Sequence, residues 1–201
     1  MAINFIRGFF PNYKLHKVCA NNELRPAMCY VYFKDGNAYA TDAHIAIAAP
    51  LSFVSDFTDE EKKILEGKLI HATNFALLLK MRKTYVKETE DGAKFECETK
   101  AGETVIIPIF TEEQIGKFPN VESIMAEADK NAKELDTQFP CVGFNPSHVA
   151  NLVAAMNAKI IEFYFVKPVG VIIVRDIDET NEIRAIMMPY YRINQLKTER
   201  K

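Results

Sequence analysis

The feature that most constrains the fold of this chain is an internal repeat of one apolar pattern. In "GKLIHATNFALLLKM" a short apolar run precedes residues spaced as one helical face: Phe75, Leu78, Leu79 and Arg82. In "CVGFNPSHVANLVAAM" a similar run precedes Val149, Leu152, Val153 and Met156. The two faces superpose with a constant offset of 74 positions (149 against 75, 156 against 82), so the sequence predicts the same unit twice.

The residues around both helices extend the repeat. Thr73 or Asn74 is the predicted cap of the first helix, and Asn145, followed by Pro146, that of the second. After each helix come three apolar runs separated by turn signals. Each unit is therefore a strand, a helix and three meandering strands, which predicts an α+β fold. An α+β sequence can give this pattern by chance, but the agreement of helix face, cap and strand number favours a repeat.

The N-terminal third is interpreted as another copy with a weaker helix. "NFIRG" is its predicted first strand, and "YKLHKVCA" is a short helix that buries Leu15, Val18 and Cys19. Asp35 and Gly36 are the predicted hairpin turn between two of the strands that follow. This arrangement gives the chain one complete pair of units and a single further unit.

These patterns divide the chain into a complete domain at 1–117, a connector at 118–138 and a half-domain with a C-terminal tail at 139–201. The connector opens at Phe118-Pro119 and becomes charged and helix-prone. A half-domain leaves a sheet edge unpaired, and exposed edges tend to be covered. We expect the edge after residue 139 to be completed by the connector or by a second chain.

Charge and cysteine content restrict the classes of function. The formal net charge is -2, from 25 basic and 27 acidic residues, so any contact with nucleic acid needs a local basic face. The cysteines have no C-x-x-C spacing and are predicted to be buried free thiols in a reducing compartment: Cys19, Cys29, Cys97 and Cys141. No run approaches the ~18 apolar residues of a membrane span. We predict a cytoplasmic protein that makes no membrane contact.

Three segments resemble the sliding clamp (β subunit) family of bacterial DNA polymerase III. "YVYFKDGNAYATDAHIAIA" is similar to the strand–turn–strand of the family's middle domain, which carries a T-D-x-H-R-L-A type sequence. "KFPNVESIM" resembles its F-P-D-Y-x-x-V step, and "IRAIMMPYYR" its C-terminal v-v-M-P-M-R-L. The resemblance runs from Ile3 to about Ile193. It implies a DNA-clamp fold of βαβββ half-domains, shortened to the middle domain and the second half of the last.

In that family the three motifs form an apolar pocket that takes short Leu/Phe-containing tails of polymerases and other clients. Carried over position by position, the resemblance implies these peptide-binding residues: Thr41, Ala43, His44, Ile45, Pro119, Ile124, Ile186, Met188, Pro189 and Tyr190. Ile45 stands where the family commonly has Arg, and Tyr190 where it has Met. From the residues alone, Met187 and Met188 are better interpreted as plain strand residues, one facing inward and one outward, and only the resemblance favours the pocket.

Asp42 and His44 invite a catalytic interpretation, because side chains two apart on a strand share a face. Asp42 is predicted instead to cap the turn through the backbone, as Asp does at strand ends. No third catalytic partner, glycine-rich phosphate loop or metal-ligand spacing accompanies the pair. We therefore predict no catalytic residues, no metal and no cofactor, and an Asp/His hydrolytic enzyme stays as an outside alternative.

In the clamp family the helices face the central hole and their cations meet phosphates without reading bases. The corresponding candidates for DNA contact are Lys14, Lys17, Lys80, Arg82 and Lys83. Solvated surface cations would look the same, so both interpretations remain open.

The resemblance and the residues together predict a non-enzymatic, sliding-clamp-like replication accessory protein. It would dock client peptides, such as the tail of a DNA polymerase, and contact duplex DNA without sequence preference. The chain could also form a homo-oligomer. The alternative is a clamp-derived adaptor or inhibitor that binds peptides but does not encircle DNA.

Overall fold

The computed structural model describes residues 7–22, 24–90, 92–132, 143–165, 170–177 and 183–189. The strands are β1 Tyr30–Lys34, β2 Asn37–Thr41, β3 Ile45–Pro50, β4 Lys68–His71, β5 Lys83–Thr89, β6 Gly92–Glu98, β7 Thr104–Pro108, β8 Phe110–Thr111, β9 Ile161–Phe165, β10 Ile172–Asp176 and β11 Arg184–Met187. The helices are α1 Leu51–Val54, α2 Asp59–Leu65, α3 Ala72–Leu78, α4 Glu112–Ile115, α5 Val121–Ala132 and α6 Pro146–Met156. Two short 3-10 turns occur at Leu15–Lys17 and Pro26–Cys29.

The described strands form two antiparallel sheets. One has eight strands in the order β8-β4-β1-β2-β3-β11-β10-β9, and the other has three in the order β5-β6-β7. The α+β class predicted from the repeat is confirmed. In each unit the three strands that follow the helix or 3-10 turn are called here the second, third and fourth strands. They are β1 to β3, β5 to β7, and β9 to β11.

The first two units exchange their first strands. β4 precedes α3 in the chain, yet it pairs with β1 of the first unit, in antiparallel register from Tyr30 opposite His71. In the opposite direction, Arg7 forms a parallel bridge to Lys83 of β5. The predicted N-terminal strand is described only from Arg7 onward, since residues 3–6 lie outside the described residues. The exchange ties the two units into one body.

The third unit continues the sheet of the first. β11 pairs antiparallel with β3, from Arg184 opposite Ala48 to Met187 opposite Ile45. β3 completes the edge at β11, whereas β9 is an outer edge of the sheet among the described strands. That the connector or a second chain completes the edge after residue 139 stays a prediction. The division into a domain and a half-domain stays a prediction. One sheet runs across the proposed boundary, because β3 and β11 pair.

The connector forms helix α5, which lies across the β3–β11 junction. Its apolar side is buried against one face of the large sheet through Phe118, Val121, Met125 and Ala128, which are at most 4% exposed. Arg184 of β11 donates two hydrogen bonds to Glu122 of α5, at 2.9 and 3.1 Å. Because α5 covers one face and the main core covers the other, β3 is buried on both faces.

The main core lies on the opposite face of that sheet. Alternating residues of β3, Ile45, Ile47 and Ala49, point into it, as strand geometry requires. Leu15, Val18 and Cys19 of the N-terminal unit are at most 5% exposed, which confirms the predicted buried face. The Asp35-Gly36 hairpin turn is also confirmed.

Local signals were correct for one repeated helix and wrong for the other. Asn145 caps α6 by accepting a hydrogen bond from the backbone of Ser147 at 2.9 Å, as predicted. The cap of α3 is His71, two or three residues before the predicted caps, and its ring accepts a hydrogen bond from the backbone of Thr73. α3 also ends at Leu78, so Arg82 lies beyond the helix whose face it was predicted to share.

Arg7 and Glu61 hold the first residues of the described chain against the three-stranded sheet. Arg7 donates to both carboxylate oxygens of Glu61, at 2.7 and 3.1 Å, and to the carbonyl of Thr84 at 2.8 Å. The backbone N–H groups of Thr58 and Val86 also donate to Glu61, at 3.0 and 3.1 Å. Burial alone raises the pKa of Glu61, but these hydrogen bonds outweigh it, so the net pKa is lowered.

Cys19, Cys29 and Cys97 are buried free thiols, as predicted, and Cys141 lies outside the described residues. Burial raises the pKa of Cys97 to about 11. No helix within the described ranges is long and apolar enough to span a membrane.

Candidate functional site

The turn between β2 and β3 is built by Asp42. Its Oδ1 atom accepts hydrogen bonds from the backbone N–H groups of His44, at 2.8 Å, and Ile45, at 2.9 Å. The Thr41 hydroxyl donates to the Ile45 carbonyl at 2.8 Å, and Ala43 adopts a left-handed conformation with φ of 76°. The prediction that Asp42 caps this turn through the backbone is confirmed.

The second carboxylate oxygen of Asp42 faces helix α6. Oδ2 lies 3.2 Å from Nδ1 of His148, and both side chains are mostly buried, at 18% and 17% exposure. The rings of His148 and His44 stack with their centroids 5.3 Å apart. Asp42 therefore has partners on both oxygens, which leaves it poorly placed to take a proton from a substrate.

A cleft opens where this turn meets the end of β11. The backbone N–H of Met188 donates to the carbonyl of His44 at 2.7 Å, so the two segments are joined directly. The cleft has a volume of about 580 Å³. It is lined by Ala20, Asn22, Leu24, Arg25, Asp42, Ala43, His44, Met188 and Pro189.

The cleft combines apolar walls with a polar rim. Met188 is 46% exposed and Leu24 is 89% exposed, so both offer apolar surface to a ligand. Met adapts its shape to different apolar groups, because its side chain is unbranched and polarizable. Asn22, Arg25 and His44 supply polar groups at the rim. Such a site can take apolar side chains of a peptide and fix their orientation with a few hydrogen bonds.

Four of the residues assigned to a peptide site lie together in this cleft: Ala43, His44, Met188 and Pro189. Ile45 is 1% exposed and points into the main core, so it cannot contact a surface peptide. Ile186 is 6% exposed because α5 covers it, and Thr41 is 4% exposed with its hydroxyl used inside the turn. Tyr190 lies outside the described residues.

Pro119 and Ile124 lie elsewhere. Pro119 lines a separate cleft of about 320 Å³ between α5 and the β1–β2 strands, beside Tyr39 and Glu122. The Tyr39 hydroxyl donates to Glu122 at 2.9 Å, and burial followed by that hydrogen bond raises the pKa of Tyr39. Ile124 is 44% exposed on α5 and lines neither of these two clefts. The middle segment therefore packs on β3 and β11 through Val121 and Met125, but its Pro119 and Ile124 lie outside the cleft beside His44 and Met188.

Sequence reasoning missed the wall formed by Ala20, Asn22, Leu24 and Arg25. The available signal was Leu24 itself, a large apolar residue inside the polar stretch "NNELRP". It also missed His148, because the contact with Asp42 depends on how α6 docks beside the turn. Among the described residues, no group of three or more His, Cys, Asp and Glu side chains could hold a metal ion.

The five candidate DNA-contact residues form two groups. Lys14, Lys17 and Lys80 are exposed. Burial, followed by the charges of these three lysines, lowers the pKa of His16, which is consistent with their lying around one histidine. Arg82 and Lys83 both form ion pairs with Glu98, the latter at 3.4 Å. The carboxylate of Glu98 partly neutralises this second group.

No protein-family model and no curated protein matches the sequence. Solved structures match it in fold. The DNA polymerase III β chain of Streptococcus pneumoniae has a TM-score of 0.57 at 13% identity, over 89% of this chain and 62% of that one. DNA polymerase III subunit β of Borrelia burgdorferi has a TM-score of 0.57 at 12% identity, over 95% and 66%.

The DNA polymerase sliding clamp of Bacillus subtilis has a TM-score of 0.56 at 12% identity, over 89% of this chain and 62% of that one. This chain thus has the fold of bacterial sliding clamps. It spans 62–66% of the length of these three proteins.

Proposed function

We propose that this protein is a non-enzymatic, clamp-like accessory factor of DNA replication in the cytoplasm. In this proposal, a short client peptide with Leu or Phe side chains docks in the cleft beside His44 and Met188. The fold neighbours are DNA polymerase III β subunits and sliding clamps, which supports the replication role. The client is another replication protein, such as a DNA polymerase.

One observation carries the proposal. The hydrogen bond from Met188 to His44 joins the two ends of the cleft at the β3–β11 junction, where two repeated units meet. The apolar surfaces of Met188 and Leu24 remain exposed beside it, although the rest of the junction is closely covered. An exposed apolar site in an otherwise buried junction is typical of a binding surface.

The number of apolar side chains that the cleft can take suits reversible binding. Burying one Leu or Phe side chain contributes about 1.5–3 kcal/mol before the cost of ordering the peptide. Two such side chains give at most about 6 kcal/mol before that cost, which corresponds to a Kd of tens of micromolar or weaker rather than a permanent complex. Exchangeable binding of this strength would let several clients use the cleft in turn.

Calorimetric titration with a peptide that carries spaced Leu and Phe residues tests the proposal. Met188→Ala and Leu24→Ala should each weaken binding several-fold, because each removes an exposed apolar wall. Ile124→Ala is the matched control, since Ile124 is 44% exposed but lies outside the cleft. Each variant should keep the circular dichroism spectrum and melting temperature of the wild type.

Three outcomes would contradict peptide docking here. The wild type could fail to bind any Leu/Phe-containing peptide, or Ile124→Ala could weaken binding as strongly as Met188→Ala. If Met188→Ala instead unfolded the chain, Met188 would be a core residue and the cleft would not be a site.

A second candidate function is contact with duplex DNA through Lys14, Lys17 and Lys80. Their grouping around His16 supports it, because phosphate binding needs a local cluster of cations in a chain whose net charge is -2. Changing all three to Glu should abolish DNA retention at low salt. Lys34→Glu with Lys117→Glu is the control, since these lysines line the cleft beside α5, on the other face of the large sheet.

If the wild type does not bind DNA at low salt, the adaptor or inhibitor alternative is favoured. The Asp/His hydrolase alternative has less support, because the Asp42 carboxylate is engaged by two amides and His148. An assay for hydrolysis with Asp42→Asn would exclude that alternative if wild type and variant behave alike.

A further inference from the structure

The first and third units contain equivalent strands in different surroundings. β1 and β9 are both second strands, and each pairs antiparallel with the third strand of its own unit. The other edge of β1 pairs with β4, which the second unit contributes. β9 has β10 on one side and is an outer edge of the large sheet among the described strands. Within those residues, the third unit has no companion of the kind that the second unit gives to the first.

The core-facing residues of β1 and β9 differ in burial. Val31 and Phe33 of β1 are 0% exposed. On β9, Phe163 stands opposite Val174 of β10, which lies in the main core, so Ile161 and Phe163 face that core as well. Both are only partly buried. The apolar face that the second unit completes in the first is therefore incompletely covered in the third.

The helix side of the third unit shows the same difference. Phe75 of α3 is 0% exposed, whereas Val149, its counterpart 74 positions later on α6, is only partly buried. Phe144, just before α6, packs against Phe163 with ring centroids 5.5 Å apart, and it is also only partly buried. The face between α6 and β9 is thus lined by apolar side chains that keep some exposed surface.

The outer edge of β9 also offers backbone groups. The backbone of Ile177 donates to the carbonyl of Ile160 at 3.2 Å, which makes these two residues a hydrogen-bonded pair in line with the β9–β10 register. Such pairs alternate along an antiparallel ladder, so the backbone of Glu162 turns toward β10. The backbone groups of Ile161 and Phe163 turn to the outer edge. This is the edge that β4 takes in the first unit.

We propose that the third unit of one copy of this chain completes the third unit of a second copy, as the first and second units complete each other. The exchange between the first two units is reciprocal, since β4 lies beside β1 and the segment at Arg7 lies beside β5. A reciprocal contact between two units of the same kind can be formed by identical units about a two-fold axis. Two half-domains then make one whole domain.

A second copy fits this face for two reasons. Within one chain the first and second units already complete each other, so the unit that remains is the third unit of another copy. The charges also permit a symmetric contact. β9 carries one charged side chain, Glu162, which stands opposite Arg175 on the face that α5 covers. The core-facing side of β9 therefore brings no like charges together. The contact does not rest on the proposed function, since Met188 and His44 take no part in it.

Light scattering over about a hundredfold range of protein concentration, with amide hydrogen exchange on the same samples, tests the proposal. The wild type should shift from the mass of one chain toward that of two as concentration rises. Exchange of the amides of Ile161 and Phe163 should slow by about tenfold or more over the same range, because the partner covers them.

Two variants and a matched control locate the contact at β9. Phe163→Lys places a charge on the shared face and should weaken association about tenfold or more. Ile161→Pro should weaken it too, because it removes an N–H that turns away from β10 at the first residue of the strand. Ile160→Lys should associate as the wild type does, since Ile160 is 57% exposed and lies on the opposite face of the sheet. Circular dichroism establishes that each variant is folded.

The proposal is overturned if the wild type keeps the mass of one chain throughout the range, or if folded Phe163→Lys and Ile161→Pro associate as well as the wild type. It is also overturned if the amides of Ile161 and Phe163 exchange equally slowly at the lowest concentration. In that case the chain covers this edge with its own residues.

Discussion

β3 and β7 occupy the same position in their units, but their surroundings differ. β3 lies between β2 and β11, with the main core on one face and α5 on the other. β7 has β6 on one side, and its exposed Ile106 has no helix over it among the described elements. The comparison teaches that the repeated unit determines where the fourth strand forms. The connector helix α5 determines which of these strands is buried on both faces.

The largest difference should appear when an isoleucine is shortened at the covered junction. Ile186→Ala should lower the free energy of unfolding by about 2–5 kcal/mol, because it leaves a cavity between β3, β11 and α5. Urea unfolding followed by circular dichroism measures the loss. A cost below about 0.5 kcal/mol would mean that α5 does not cover this junction.

The next largest loss of stability is expected beside β5, the strand of the three-stranded sheet that Arg7 covers. Glu61→Gln should cost about 1–3 kcal/mol at neutral pH, since it removes the charged partner of Arg7 beside β5. The folded pKa of Glu61 lies below its ordinary value of 4.5. Its contribution to stability is therefore complete above that value and is lost as pH falls through the lowered pKa.

Unfolding measured from neutral to acidic pH checks the sign of this effect. The wild type should lose its advantage over Glu61→Gln as pH falls below about 4.5. A constant difference across the whole range would show that the charge of Glu61 is not what secures the β5 edge.

A smaller effect is expected at the turn that leads into β3. Asp42→Ala should cost about 1–2 kcal/mol, because the backbone N–H groups of His44 and Ile45 lose their acceptor. Asp42→Asn should recover most of that loss, since its oxygen can still accept from both groups. Thermal unfolding of both variants separates the turn from the His148 contact. Equal losses would assign the effect to His148.

The smallest change in the free energy of unfolding is expected at β7, the outer strand of the three-stranded sheet. Ile106→Ala should change the free energy of unfolding of the single chain by about 0.5 kcal/mol or less, because its side chain is half exposed. Urea unfolding at low protein concentration is the measurement, with Ile186→Ala as the matched comparison. A loss as large as that of Ile186→Ala would show that β7 is covered too.

The local features of the fold could be predicted because neighbouring residues decide them. The Asp35-Gly36 turn, the Asn145 cap and the Asp42 turn each depend on hydrogen bonds or dihedral preferences within a few residues. The helix cap at His71 was missed because Thr73 and Asn74 are better intrinsic caps. The strand pairing of the preceding residues with β1 moved the helix start to Ala72.

The candidate site could be predicted only in part. Ala43, His44, Met188 and Pro189 were assigned from the resemblance to the clamp family, and they line the cleft because they lie at strand ends, where side chains stay at the surface. Whether Ile45 or Ile186 faces solvent depends on what covers each face of β3 and β11, and the sequence pattern does not contain that information. The wall from Ala20 to Arg25 comes from a loop that reaches the cleft through tertiary packing.

The sequence by itself determined the repeated strand–helix–strand unit, the turn at Asp42 and the apolar fourth strands that lead into proline. These are set by short-range periodicity and backbone preference. Only the tertiary structure decided that β3 pairs with β11, that α5 covers that junction, and that the Asp42 carboxylate contacts His148. Such contacts join residues far apart in the chain, and their free energy comes from apolar area buried on both sides at once.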